Sequence, residues 1–128
     1  MRRGGLHHVE LRASDLAATG RAWAWLLGEL GYEPFQQWDA GRSWRLGDLY
    51  VVLEGAPLGG TNDRRRPGLS HLAFHAGDAA AVEHLWTSAP DHGWSRLYED
   101  RHPHAGGPDH HAAFLEDGER FKVELVAG

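Results

Sequence analysis

The chain contains no cysteine, which excludes disulfide bonds, thiolate nucleophiles and zinc–sulfur sites. It also lacks a surplus of positive charge. Its formal net charge is −5, which does not favour nucleic acid or an anionic membrane surface as a partner. No apolar run is long enough to span a membrane, and none follows the basic start MRRGG as it would in a signal peptide. The lack of a signal peptide and of a membrane span favours a cytoplasmic protein, while the lack of cysteine suits any redox compartment.

Histidine and tryptophan, by contrast, are abundant, with ten and six residues among 128. A chain of this length with 41% hydrophobic and 24% charged residues is typical of one soluble globular domain, here residues 1–128. Imidazole is the commonest metal ligand and titrates near neutral pH. Some of the histidines are therefore candidates for a functional site, while most are expected on the surface.

One phrase occurs twice, as GLHHVELRASD from Gly5 and as GLSHLAFHAGD from Gly68. In each copy a strand-like alternation leads to an aspartate, Asp15 or Asp78, that is placed to cap a helix. The first helix is expected to end near Leu30. The repetition indicates a tandem duplication of one structural unit.

Short strand-like runs separated by turn residues follow each predicted helix. Together with the repeated phrases, the predicted strands are Leu6–Arg12, Phe35–Asp39, Arg42–Leu46, Leu49–Glu54, Leu69–His75, Ser95–Glu99, His111–Glu116 and Phe121–Val126. The pattern predicts an α+β fold of two tandem β-α-β-β-β modules, 5–54 and 69–126, whose curved sheets enclose a cleft. Segment 55–68, rich in Gly, Pro and Arg, is interpreted as a solvated linker.

Two histidines and one glutamate are candidate metal ligands. His8 and His71 occupy equivalent positions in the repeated phrase, on the strand face that is expected to line the cleft. Glu124 lies in the last strand, where a buried carboxylate needs a partner. A metal ion held by two His and one Glu supplies that partner and leaves positions for substrate. Backbone carbonyls could instead satisfy both imidazoles, with Glu124 exposed, and spacing alone favours neither interpretation.

Four segments occur in an order that resembles the vicinal oxygen chelate superfamily, which contains glyoxalases, fosfomycin-resistance transferases, bleomycin-binding proteins and extradiol dioxygenases. They are LHHVELRASDL, LLGELGYEP, GLSHLAFHAGD and AAFLEDGERFKVELVA. The resemblance implies a metal-dependent enzyme of the lyase/isomerase or ring-cleaving dioxygenase type. It implies that His8, His71 and Glu124 hold a divalent Fe, Mn, Ni, Co or Zn ion. Bleomycin-type binders lack this triad, so the presence of all three residues argues for a metalloprotein. The alternative is a protein that sequesters an aromatic, antibiotic-like small molecule without turnover.

The resemblance leaves two features of the site open. Glyoxalase-like members add a Glu late in the fourth strand, where this chain has Val52 or Leu53 and a displaced Glu54. Members of this length are commonly homodimers that build each site within one chain or across two. Segment 55–68 can extend to roughly 45 Å, which permits both arrangements.

A histidine-rich loop, RHPHAGGPDHH, precedes the seventh predicted strand. His111 or His104 in this loop could act as a general acid or base near neutral pH, or simply be exposed. His75 shares the strand face of His71 and is a candidate for substrate binding.

Two tryptophans are candidates for the same site. Trp38 and Trp44 could form an aromatic wall for the substrate, or serve as core or dimer contacts. Trp23 and Trp86 belong to the apolar stripes of the helices and are predicted to be packing residues.

Overall fold

The computed structural model describes residues 2–128, which divide into two compact units, one up to Thr61 and one from Asn62 to Gly128. The first unit contains β1 (His8–Ala13), α1 (Leu16–Glu29), β2 (Glu33–Trp38), β3 (Gly41–Leu46) and β4 (Leu49–Gly55). The second contains β5 (Leu72–His75), α2 (Ala79–Ser88), a 3₁₀ helix (Ala89–His92), β6 (Ser95–Leu97), β7 (Ala112–Glu116) and β8 (Lys122–Val126). Each unit thus has the predicted β-α-β-β-β order, which confirms the α+β fold class. Within residues 2–128 neither helix has the length and apolar content of a membrane span.

The two units share one sheet topology. The strand orders are β1-β4-β3-β2 and β5-β8-β7-β6. In each sheet the first strand of the unit pairs in parallel with the last, and the other neighbours are antiparallel. The helix and two strands between the parallel partners supply the long connection that such a pair requires. A shared topology of this kind is what a tandem duplication predicts.

Both helices begin at the predicted aspartates. The side chain of Asp15 accepts a hydrogen bond from the backbone N–H of Ala18 at 3.0 Å, and Asp78 accepts one from Ala81 at 2.9 Å. Each bond satisfies one of the N–H groups that the first helical turn leaves without a partner. At the other end of α1, Gly31 has a φ of 93°, a left-handed conformation that ends the helix after the cap residue Leu30.

α1 covers one face of the first sheet. A Cβ added to Gly20 of α1 would lie 3.6 Å from Cδ of Arg42, so the β3 side chains on the parity of Arg42 face this helix. Trp44 shares that parity and is 1% exposed. The residues of the opposite face include His8 and its partner Tyr50. We call this opposite surface the His8 face.

The second sheet is divided in the same way. Arg96 pairs with Leu115 in the sheet, and its guanidinium donates hydrogen bonds to the carbonyl oxygens of Trp86 and Thr87 on α2. Leu115 and the residues on the same side of the sheet therefore face α2, and Leu115 is fully buried. The opposite surface carries Glu124, and we call it the Glu124 face.

Four predicted strand boundaries differ from the structure by two or more residues, one of them being the start of β2 at Glu33 rather than Phe35. β1 begins at His8 rather than Leu6, and β5 begins at Leu72 rather than Leu69. The β5 ladder starts opposite Val123, next to the first residue of β8, so the residues before Leu72 have no strand to pair with. β6 ends at Leu97 rather than Glu99, because Tyr98 has a φ of 56°, which an extended strand does not accommodate.

The segment interpreted as a solvated linker is partly built into the second unit. Nε of Arg64 donates to Glu116 at 2.7 Å, and both side chains are less than a fifth exposed. The side-chain amide of Asn62 donates to the carbonyl oxygen of Arg120 at 3.3 Å. Asn62 and Arg64 are therefore anchored to the second unit, whereas the side chain of Arg65 between the anchored part and the repeat is 68% exposed. The first arginine of the run 64–66 thus forms an ion pair that holds the segment against β7.

The two tryptophans of the first sheet give a matched test of this architecture. Replacing Trp44 by Ala should lower the free energy of unfolding by roughly 3–5 kcal/mol, because a fully buried ring is lost and a cavity remains. Replacing Trp38, which is 38% exposed, should cost about 1 kcal/mol or less. Urea denaturation measures both changes, and equal losses would contradict the assignment of Trp44 to the core.

Candidate functional site

Glu124 is the centre of a polar cluster on the Glu124 face. It lies between Ala73 of β5 and Phe114 of β7, and its side chain is only 12% exposed. Nε2 of His71, the residue just before β5, lies 3.1 Å from Oε1 of Glu124. Two of the three predicted ligands therefore meet on one face of the second sheet.

A third side chain, His110, joins this cluster although it was not among the predicted site residues. Its Nε2 lies 2.5 Å from Oε2 of Glu124, so the carboxylate is flanked by an imidazole on each oxygen. Because Phe114 is paired with Glu124, the even-numbered residues of β7 share the Glu124 face. Extending that alternation back along the sequence selects His110, not His111. This is the signal that could have found it.

The donor atoms of this cluster suit a divalent cation. Imidazole nitrogen and carboxylate oxygen are common ligands of divalent first-row metals. Two ligand atoms about 2.0–2.2 Å from one ion lie about 3 Å apart, close to the 3.1 Å between His71 and Glu124. As the side chains stand, no three His, Asp or Glu groups among residues 2–128 form a complete metal site. His71 and Glu124 thus fit as part of a metal site that requires a further ligand.

His8, the third predicted ligand, lies in the first unit. Its ring stacks on Tyr50 with 4.9 Å between centroids and 5° between planes, and its Nδ1 lies 2.9 Å from Nδ1 of His7. The residue is exposed on the His8 face. The first sheet therefore presents this imidazole beside an aromatic side chain.

Glu54 also lies on the His8 face, with no shift of register. The parallel ladder pairs Arg12 with Glu54, and the Arg12 guanidinium lies 3.7 Å from Glu54 and 3.5 Å from Glu10. The hydrogen bond with Glu54, with smaller contributions from burial and charge repulsion, raises the pKa of Glu10 above its ordinary value. Glu54 thus has Glu10 and Arg12 as its neighbours, and its role as a fourth ligand stays a prediction.

His111 faces α2 and not the Glu124 cluster. Its Nε2 donates to Oε2 of Glu83 on α2 at 3.0 Å, and Nε2 of His102 donates to the same oxygen at 2.9 Å. The ring of His102 in turn stacks on Trp86 at 3.7 Å. The odd position of His111 in the alternation of β7 explains this placement, which does not bring the candidate acid or base to the Glu124 cluster.

The other candidates of the second unit are exposed. His104 donates from Nδ1 to the carbonyl oxygen of His110 at 3.2 Å, so it contacts the backbone next to the cluster. His75 ends β5 opposite Val126, two residues beyond Ala73, and shares the face of Glu124 as its parity predicted.

The two candidate tryptophans have different surroundings. Trp44 is buried on the α1 face, so the prediction that it lines a ligand site is wrong, and its aromatic character serves the core. Trp38 lies on the His8 face. A Cβ at its pairing partner Gly41 would come within 2.9 Å of the indole and within 2.5 Å of the Leu53 carbonyl oxygen. Only glycine leaves room for the indole to lie flat against the sheet there.

Comparison with known proteins gives consistent results for sequence and for structure. The Glyoxalase/Bleomycin resistance protein/Dioxygenase superfamily model matches residues 7–114. The chain is 46% identical over 125 residues to the uncharacterized protein YqjT of Bacillus subtilis (strain 168), covering 95% of this chain and 98% of that protein. It is also 46% identical to a presumed glyoxalase from Bacillus halodurans, whose crystal structure superposes with a TM-score of 0.94 and 98% and 97% coverage of the two chains.

A more distant likeness shows the fold alone. A variant of the fosfomycin resistance protein FosX from Listeria monocytogenes, solved in complex with Mn(II) and a dihydroxypropylphosphonic acid, is 20% identical. Its TM-score is 0.70, and the match covers 99% of this chain and 92% of that one. This likeness shows that the two chains share one fold.

The contact between Glu83 and the histidine loop predicts an acid-dependent contribution to stability. Partial burial raises the pKa of Glu83, but hydrogen bonds from His102 and His111 outweigh it, so its pKa lies below the ordinary value of 4.5. The stabilising effect should be complete above pH 4.5 and lost as the pH falls through the lowered pKa. Glu83→Gln should therefore lower the free energy of unfolding near neutral pH by up to roughly 1 kcal/mol.

Urea denaturation of the wild type and the variant across this pH range measures the effect. The difference between the two proteins should shrink in acid, whereas Glu33→Gln on the exposed edge strand should change little at any pH. A difference that persists unchanged at acid pH would contradict the assignment.

Proposed function

Because the chain belongs to the Glyoxalase/Bleomycin resistance protein/Dioxygenase superfamily, we propose that it is a metal-dependent enzyme acting on a small molecule bound through oxygen atoms. The observation that carries the proposal is the contact between His71 and Glu124, an imidazole and a carboxylate held 3.1 Å apart on the Glu124 face. Lyase or isomerase chemistry and ring-cleaving oxygenation both use such a site. We expect the protein to act in the cytoplasm.

His71 and Glu124, with His8 as the third ligand, would hold a divalent Fe, Mn, Ni, Co or Zn ion. Bound there, such an ion polarises a substrate oxygen and stabilises negative charge that develops on it. Glu124 is well suited to this role because its side chain is largely shielded from water, and a shielded carboxylate interacts more strongly with a cation than an exposed one.

His110 is a positioning residue in this proposal. Its imidazole lies against the second oxygen of Glu124 and fixes the orientation of the carboxylate. Partners of this kind are commonly needed for full metal affinity. Glu83 supports the same arrangement from the other side of the sheet, because it binds His102 and His111 and so anchors the loop that carries His110.

A calorimetric titration with Mn²⁺ or Ni²⁺ tests the metal site. Saturable binding is expected, and His71→Ala or Glu124→Gln should weaken it by more than about a hundredfold because a ligand is lost. His110→Ala should weaken binding by roughly ten- to a hundredfold, as expected for an outer partner. His92→Ala is the matched control, since this imidazole is exposed on the 3₁₀ helix, and it should leave the affinity close to that of the wild type.

Turnover of the metal-loaded protein is then assayed with a methylglyoxal–thiol adduct and with a catechol panel. An absence of metal uptake, or uptake that Glu124→Gln does not change, would defeat the proposal of a metalloenzyme at this site.

A second function is favoured by the aromatic side chains of the His8 face. Phe35 and Trp38 are 40% and 38% exposed there, and Phe35 packs against Tyr50 with 5.4 Å between ring centroids. Such a surface suits a protein that sequesters an aromatic small molecule without turnover. Binding of an aromatic ligand that quenches tryptophan fluorescence and survives metal removal would favour sequestration, and binding that requires metal would favour the enzyme.

We further propose that the protein is a homodimer. Light scattering at micromolar concentration should give twice the mass of the chain, and a monomer would refute the proposal.

Mixing His8→Ala with Glu124→Ala protein under conditions of subunit exchange then shows whether each metal site is built from one chain or from two. Metal binding should reappear in the mixed dimers if the ligands come from two chains, and stay absent if each chain builds its own site.

A further inference from the structure

The only lysine of the chain, Lys122, lies on the Glu124 face two residues before Glu124. Its ammonium group donates a hydrogen bond to the phenol oxygen of Tyr98 at 2.9 Å. It also lies over the rings of Tyr98 and Phe114, at 5.0 and 5.2 Å from their centroids. None of the ion pairs found within residues 2–128 includes Lys122. Its positive charge is therefore held by aromatic rings and a neutral oxygen.

Two arginines add to the positive charge around Tyr98. The guanidinium of Arg101 lies 4.9 Å from the Tyr98 ring centroid and also takes part in no ion pair among the described residues. Arg64 is closer to Glu116, to which it donates a hydrogen bond at 2.7 Å. The hydrogen bond from Lys122 lowers the pKa of Tyr98, and the charges of both arginines contribute to the shift against the opposing effect of burial.

The cluster carries more positive than negative charge. Glu116 pairs with Lys122 across the β7–β8 ladder, but its carboxylate is already engaged by Arg64, so neither Lys122 nor Arg101 has an ion-pair partner among residues 2–128. Two cations thus have no counter-charge of their own in a protein whose net charge is −5. Lys122 is partly buried, and a partly desolvated cation without a counterion attracts an external anion more strongly than a solvated one.

Phe114 connects this cluster to the proposed metal site. Its ring lies 5.4 Å from that of Tyr98 and 6.3 Å from that of His71, and it is paired with Glu124 across the ladder. Lys122 and Glu124 share one face of β8, so their Cα atoms are about 6–7 Å apart. The ring of Phe114, which is only 7% exposed, therefore lies between the cationic cluster and the proposed metal ligands.

We infer that Lys122, Tyr98 and Arg101 form a subsite for an oxyanion, a carboxylate or a phosphate-type group, that belongs to the substrate. The inference rests on the proposed function for the other end of that molecule. The substrate is then a small acid whose anionic group lies a short distance from its chelating oxygens. Lys122 and the Tyr98 hydroxyl donate hydrogen bonds to the anion, and Arg101 supplies a second positive charge.

The subsite can be tested without metal, so its outcome is independent of the metal proposal. Protein grown with ¹³C-lysine gives one set of lysine Cε signals, because Lys122 is the only lysine. Inorganic phosphate and acetate serve as the two oxyanion probes, with neutral acetamide for comparison. At constant ionic strength, at least one of the two oxyanions should shift the Lys122 signal saturably, and acetamide should not. The oxyanion that binds more tightly identifies the class of anion.

Variants examined by calorimetry complete the test. Lys122→Gln should weaken binding of the oxyanion by about ten- to a hundredfold, the loss expected for a charged hydrogen bond. Lys122→Arg should retain most of the affinity. Arg66→Gln is the matched control, because it removes the same charge from the exposed end of the arginine run. Circular dichroism and Mn²⁺ titration of Lys122→Gln verify its fold and its metal site. Equal losses in Lys122→Gln and Arg66→Gln, or shifts that never saturate, would overturn the subsite.

Discussion

The register of β8 between β5 and β7 is the constraint on which the rest of the site depends. Glu124 pairs with Ala73 on one side and Phe114 on the other, and a slip of one residue would turn its carboxylate toward the core under α2. The same register places Lys122 with Glu124 on one face and buries Val123 and Leu125 on the other. Core packing and site geometry are thus set by one ladder, because burying these two apolar side chains holds the polar ones in place.

Much of the fold could be predicted because it depends on local chemistry. Asp15 and Asp78 cap helices through their own side chains, and Gly31 ends α1 through its own backbone freedom. The alternation of apolar residues gave the strands for the same reason. Strand ends were less predictable, since the start of β5 depends on where β8 offers a partner, far along the chain.

The residues of the candidate site also differ in how far local sequence patterns could predict them. His71 and Glu124 could be paired in advance, since the repeated phrase and strand parity constrain both residues. His110 was missed, and His111 chosen instead, because the parity of β7 was not carried back into the loop. The contact of His102 and His111 with Glu83 joins a loop to a helix in three dimensions, and no short-range pattern records it. The sequence allowed Trp44 to line the site or to serve as a core or dimer contact, and the structure shows that it is buried beneath α1.

The hydrogen bonds of Asn62 and Arg64 shorten the free connection between the units. On the other side, the backbone N–H of Ala56 donates to the carbonyl oxygen of Ala13, which fixes the start of the same segment to the first unit. The stretch without such anchors is Pro57–Thr61, which reaches about 18 Å when fully extended. The part of segment 55–68 that can extend freely is therefore about these five residues, not all fourteen.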